Sequence, residues 1–90
     1  MRIAVINPNT TTAMTARIAD AARAVASTGT DILERQSLEG PDAIEGPFDG
    51  ALAVPGLLKA ITAAEAEGAD AHVIACFDDT GLDAARAIAT

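Results

Sequence analysis

Two short stretches hold the residue types and spacings that could do chemistry. Cys76 is the only cysteine, and it is followed by Phe77-Asp78-Asp79-Thr80-Gly81, a polar turn that runs into a helical pattern. The other stretch is Asn7-Pro8-Asn9-Thr10-Thr11-Thr12. A thiol can move a proton or act as a nucleophile. Side-chain amides and hydroxyls beside a helix start form a neutral cradle for a carboxylate, phosphate or imide oxygen. Each stretch also has a structural reading: an isolated strand cysteine as a core residue, and the Asn-Thr run as a turn capped by a threonine. The helix start after Cys76 attracts negative charge while Asp78 and Asp79 supply it, two opposing influences on one loop. His72 is the only histidine. It lies four residues before Cys76 along a strand, roughly 13 Å away, too far for a Cys-His pair. With no second His or Cys beside it, His72 reads as structural or surface, and no metal site is expected. The sequence has neither the glycines of a dinucleotide fingerprint nor a Gly-Lys-Ser/Thr phosphate loop, which disfavours nucleotide binding.

Regular elements must position these stretches. Arg2 to Asn7 is a β-branched apolar run closed by Asn-Pro and reads as a strand buried on both faces. From Thr12, the residues Met14, Ile18, Ala21 or Ala22, and Val25 recur at helical spacing, stopping at Ser27-Thr28-Gly29. Residues 30–35 form a second strand, interrupted by Asp31, Glu34 and Arg35 as expected near a sheet edge. Residues 37–48 are turn-rich, with Glu39-Gly40-Pro41 echoed by Glu45-Gly46-Pro47. The echo reads as two successive turns, although a loop this long in a compact domain is uncommon unless it covers a site. Asp49 to Glu67 is helical, with Leu52, Val54, Leu57, Leu58, Ile61 and Ala64 apolar and Gly68 as its stop. Within it, Pro55 either kinks the helix or restarts it. Ala71 to Cys76 is a third strand, and Gly81 or Asp83 opens a last helix with Leu82, Ala85 and Ile88 on one face. The order βαβαβα calls for an α/β fold, a three-layer half domain with a parallel sheet and right-handed connections. The expected strand order is 2-1-3, as in a flavodoxin-like lobe, which sets the loops after strands 1 and 3 side by side at the carboxyl edge.

Composition narrows the function classes. Ninety residues make one small domain with a thin core. The net charge of −7 gives no footprint for nucleic acid or an anionic membrane surface. Tryptophan and tyrosine are absent, so there is no platform for stacking bases or a flavin. A lone cysteine cannot form an intrachain disulfide and fits a reducing cytoplasm. The first apolar run ends at Asn7-Pro8, too soon for a signal-peptide core, and no apolar stretch nears the ~20 residues of a membrane helix.

Three blocks carry a family resemblance. Ile3-Ala4-Val5-Ile6-Asn7-Pro8-Asn9-Thr10, Ala51-Leu52-Ala53-Val54-Pro55-Gly56-Leu57-Leu58, and Gly68 to Phe77 followed by Asp79 and Gly81-Leu82-Asp83-Ala84-Ala85-Arg86 resemble the hydantoin and allantoin racemases of the aspartate/glutamate racemase superfamily. The Asn-Pro-Asn-Thr and Cys-Phe blocks at their separation are the specific part. The resemblance spans essentially the whole chain. It implies a cofactor-independent racemase of two similar lobes, with a small-molecule substrate between them and one cysteine from each. Cys76 matches the first-lobe cysteine. Asn9 and Thr10, with Asn7 behind them, match the loop that holds the substrate, and the Phe77 and Asp78 backbone N–H groups are placed to stabilise an enolate oxygen. Gly40 to Glu45 resembles the family's loop over the site, with Ala43 where a serine is more usual.

On this reading residues 1–90 are a truncated N-terminal lobe, inactive alone, that pairs with a second lobe or self-associates. The alternatives are a small-anion or ring-binding module with an inert cysteine, and another racemase or isomerase of the same superfamily. Phe-Asp-Asp after Cys76, in place of the Asn-Thr pair of the amino-acid racemases, favours hydantoins.

Overall fold

The computed structural model describes residues 1–76 and 78–90. The first strand, β1 (Arg2–Asn7), becomes enclosed as it proceeds, and Ala4, Val5, Ile6 and Asn7 are all buried. It is the middle strand of three, as a run apolar on both faces requires. The chain then forms α1 (Thr12–Val25), β2 (Asp31–Gln36), α2 (Pro47–Ala66), β3 (Ala71–Ile74) and α3 (Leu82–Ile88). Both neighbours pair parallel to β1, in the order β2-β1-β3. The registers run from Arg2↔Asp31 to Asn7↔Gln36 on one side and from Ile3↔Ala71 to Ile6↔Ile74 on the other. The expected α/β half domain and its strand order are therefore present.

Strand periodicity divides the packing. Ala4 and Ile6 point to one face and form the core with Leu57, Ile61 and Ala64 of α2 and Ala85 of α3. Asn7 points the other way, toward Thr15 of α1. The core is thin and half of its members are alanines, so helices and sheet approach closely and bury little bulk. The charges that interrupt β2 are explained by its edge position. Asp31, Glu34 and Arg35 pair with Arg2, Arg23 and Glu67 at 3.3, 3.3 and 2.6 Å on the solvent side.

Several local expectations need correction. In α1 the buried residues are Thr15 and Ala19, with Ile18 and Ala22 half-buried, whereas Met14 and Val25 are exposed. The buried stripe is rotated about one residue from the apolar one, because the space over β1 takes small residues and a hydroxyl. In α2 Leu52 is exposed and the inward stripe runs Ala53, Gly56, Leu57, Ile61 and Ala64. Pro55 does not restart α2, which continues through it. The helix begins at Pro47, where a missing N–H costs nothing, and the Asp49 carboxylate accepts the Glu45 N–H at 3.1 Å. Gly68 follows its C-terminus in the left-handed region, at φ 88°. Ile88 of α3 is exposed, leaving Ala85 as that helix's buried residue.

Candidate active site

The parallel pairing of β1 with β3 brings the two chemically interesting loops together. Beyond the last register pair, Ile6↔Ile74, the Ala75 N–H still donates to the Ile6 carbonyl at 2.8 Å. The chain leaving β3 therefore runs beside Asn7 and Pro8. Strand geometry ends at Ile74, two residues earlier than the sequence pattern suggested, because the Cys76 N–H turns back onto the Ile74 carbonyl at 2.9 Å. Cys76 thus sits in a tight turn just past the strand, half-buried. Its Sγ lies 3.3 Å from Thr80 Oγ1. The Asp79 N–H closes the turn on the Cys76 carbonyl at 3.1 Å, with Asp79 at φ 52°. Gly81 follows at φ 70° and opens α3; a Cβ there would sit 2.7 Å from Leu57 Cδ2, so both conformation and space call for glycine.

The β1 loop is held by its own side chains. Asn7 is buried; its Nδ2 donates to Asn9 Oδ1 at 2.8 Å and to Thr15 Oγ1 at 3.1 Å, while its Oδ1 accepts the Asn9 N–H at 3.2 Å. Asn9 Oδ1 also accepts the Thr11 N–H at 2.9 Å. Thr11 is the α1 N-cap by position, yet its hydroxyl does not cap: it donates to the Asp42 carbonyl at 2.7 Å. The Thr10 N–H donates to the Pro41 carbonyl at 3.2 Å. The long β2–α2 loop is thereby fastened over the β1 loop, which gives the turn-rich segment a structural role beside the candidate site.

An open cleft of about 770 Å³ lies at the same carboxyl edge, lined among others by Ile44, Pro47, Val54, Asp78, Asp79 and Thr80. A narrower apolar groove of about 360 Å³ runs along the β2 edge by Thr15, Gln36, Leu38 and Ala60. The carboxyl-edge cleft adjoins the Cys76 turn through Asp78, Asp79 and Thr80.

Of the residues singled out from sequence, Asn7 ends β1, Asn9 and Thr10 lie in the loop after it, and Cys76 and Asp78 lie in the turn after β3, at the same sheet edge. The expected backbone contribution of Phe77 lies outside the described residues. Asp78 is exposed at the turn. His72 is occupied elsewhere: its Nε2 bonds Glu65 Oε1 at 3.1 Å, on the far side of β3 from α1. Sequence reasoning missed Thr80, Thr15 and Gln36. Thr80 alone had a usable signal, its place four residues after Cys76 in a turn that must fold back before α3.

The fold and family are matched among known proteins. The family model described as Asp/Glu/hydantoin racemase matches residues 3–90. A hydantoin racemase of Paenarthrobacter aurescens is 52% identical over 87 residues, covering 96% of this chain and 37% of that protein. A hydantoin racemase of Rhizobium meliloti is 47% identical over 89 residues, covering 99% and 37%. The solved allantoin racemase from Klebsiella pneumoniae superposes with a TM-score of 0.96 at 54% identity, over 99% of this chain and 36% of that one. The chain thus spans a little over a third of the length of the relatives it matches. On the family match over nearly its whole length and the shared β2-β1-β3 fold, this chain belongs to the Asp/Glu/hydantoin racemase family.

Proposed function

We propose that this chain is the N-terminal lobe of a racemase for 5-substituted hydantoins or allantoin, supplying one thiol and the substrate-holding loop. The observation that carries the reading is that Cys76 lies just past β3, at the same sheet edge as the loop that follows β1. Inverting a carbon acid requires a base on one face and an acid on the other. A Cys76 thiolate would take the C5 proton, the electron pair would move onto the ring carbonyl as an enolate, and a second thiol would return a proton from the opposite face. Asn9 and Thr10, with the buried Asn7 behind them, hold the ring's polar atoms, and the Phe77 and Asp78 N–H groups stabilise the enolate oxygen. The scheme draws on acid, base and hydrogen bonds alone and asks for no cofactor.

One thiol serves one face only, so the second must come from another polypeptide region. The relatives' greater length leaves room for it. The surface also supports a covering partner. Phe48 and Leu52, at 76% and 49% exposure, lie one turn apart in the first half of α2, whose Pro47, Ala51 and Val54 line the carboxyl-edge cleft. None of the helices among the described residues is long and apolar enough to cross a membrane.

Iodoacetamide labelling of Cys76 with and without a 5-substituted hydantoin tests the site. Protection by the hydantoin is expected; labelling that the hydantoin leaves unchanged favours the binding module with an inert cysteine. Racemisation of a single hydantoin enantiomer by the chain alone is expected to match that of Cys76→Ser. A rate that Cys76→Ser abolishes would show that no second lobe is needed.

A further inference from the structure

We infer that Thr15 and Gln36 are positioning residues that fix the Asn9 carboxamide with its NH2 turned away from the loop's interior, so that the loop offers a hydrogen-bond donor to a carbonyl oxygen of the ligand. The inference rests on the reading of this loop as the substrate holder and adds the polarity of what it presents.

Gln36, at the end of β2, has its Nε2 3.3 Å from the Thr10 carbonyl, which can only accept. That fixes the amide, with Nε2 donating there and to Thr12 Oγ1 at 3.3 Å, and directs Oε1 at Thr15. The buried Thr15 hydroxyl has one proton, and Gln36 Oε1 at 2.7 Å is its closest acceptor; the Thr11 carbonyl is at 3.3 Å. Its lone pairs then face Asn7, whose Nδ2 donates to it at 3.1 Å. With Nδ2 so placed, Asn7 Oδ1 accepts the Asn9 N–H. Asn9 Oδ1 in turn lies between two donors, Asn7 Nδ2 and the Thr11 N–H. A flipped Asn9 would set its NH2 against both of them inside a nearly closed site, at the cost of two unmade bonds. The backbone N–H groups of Asn9 and Thr11 orient Asn7 Oδ1 and Asn9 Oδ1 in the same sense, and the Gln36–Thr15 bonds hold Asn7 Nδ2 from the other side, so side chains and backbone agree on one orientation for Asn9.

What remains of Asn9 is Nδ2, 3.3 Å from Met14 Sδ. A thioether is a weak acceptor, and Met14 is half exposed. A ligand oxygen would replace it at little cost. The donor so presented selects a carbonyl or carboxylate oxygen over a ring N–H.

The test uses the ninety-residue chain, with Thr15→Val, Thr15→Ser and Gln36→Met, followed by NMR. Exchange of the Thr11 amide and of the Asn7 side-chain NH2 is expected to rise about tenfold in Thr15→Val and Gln36→Met. Exchange of the Ala75 amide stays as in the wild type, and Thr15→Ser restores the loop. Titration with 5-methylhydantoin is expected to shift the Asn9 NH2 resonances, with about tenfold weaker binding in Thr15→Val and Gln36→Met and wild-type affinity in Thr15→Ser. Unchanged Thr11 exchange in Gln36→Met, which replaces a half-buried side chain by one of similar shape, would overturn the inference even if Thr15→Val fails to fold. Failure of Thr15→Ser to rescue would overturn it as well. If the exchange pattern holds while 5-methylhydantoin leaves the wild-type Asn9 resonances in place, the hydantoin reading fails and the orienting role stands.

Discussion

Cys76 Sγ and Thr80 Oγ1 face each other at 3.3 Å across a turn closed by the Asp79 N–H. Thr80 is buried although it lies between an exposed aspartate pair and Gly81; either atom of the pair can donate while the sulfur is a thiol, and only the hydroxyl can donate to a thiolate. A hydrogen bond to sulfur strengthens when the sulfur carries charge. Thr80→Val is therefore expected to slow alkylation of Cys76 at neutral pH about three- to tenfold, and Thr80→Ser to keep the wild-type rate. Iodoacetamide kinetics on the two variants checks this; equal rates in wild type and Thr80→Val would remove Thr80 from the thiol's surroundings.

Gly56 marks the closest approach of α2 to the segment leaving β2. A Cβ there would overlap the buried Ser37 Oγ and lie 2.8 Å from the Glu39 carbonyl oxygen. Alanine gains up to about 1 kcal/mol of helix propensity over glycine. Overpacking costs about 1–3 kcal/mol, and a backbone carbonyl cannot rotate away as a side-chain tip can. Gly56→Ala is expected to destabilise by about 1–2 kcal/mol net, read as a lower urea midpoint with an unchanged slope.

The thin core makes single truncations severe. Ile61 is 1% exposed and joins α2 to Ile6 and Ala85. Ile61→Ala is expected to cost about 2–5 kcal/mol, a large share of the roughly 5–13 kcal/mol a domain of this size holds. Leu38 is as apolar but 91% exposed, and Leu38→Ala is expected to change stability by less than about 0.5 kcal/mol. Thermal melts of the two variants separate buried from exposed apolar surface directly.

The strand order and the meeting of the two loops were legible in the sequence because each rests on a strong local signal. The run Ile3 to Ile6 could only be a central strand, and helical-length connections force parallel pairing. Helix faces were harder to read. In α1 the apolar residues Met14 and Val25 lie outside while Thr15 lies inside, since the inward position serves hydrogen bonding to Asn7 and Gln36 as well as packing. Periodicity reports hydrophobicity and is blind to such a hub. Gln36 was invisible for a related reason: its partners Thr10 and Thr12 are more than twenty residues away in sequence and meet it only once β2 lies beside β1.

Glu65 near the end of α2 accepts the Thr90 N–H and hydroxyl, both at 2.9 Å, and the His72 Nε2–H. The backbone bond from Thr90, then the bonds from His72 and the Thr90 hydroxyl, hold the Glu65 carboxyl below its ordinary value of 4.5, against a weaker opposing effect of desolvation. Because the folded value is the lower one, the tether is fully present above the ordinary carboxyl range and is lost as pH falls through the folded value. The Thr90 amide resonance is expected to stay constant from neutral pH to about 5 and to move toward its random-coil position on further acidification. In Glu65→Gln the amide still accepts a bond but cannot titrate, so this step should vanish while the other acidic transitions of the chain remain. A Thr90 resonance that moves alike in both proteins would show that another carboxylate governs the release.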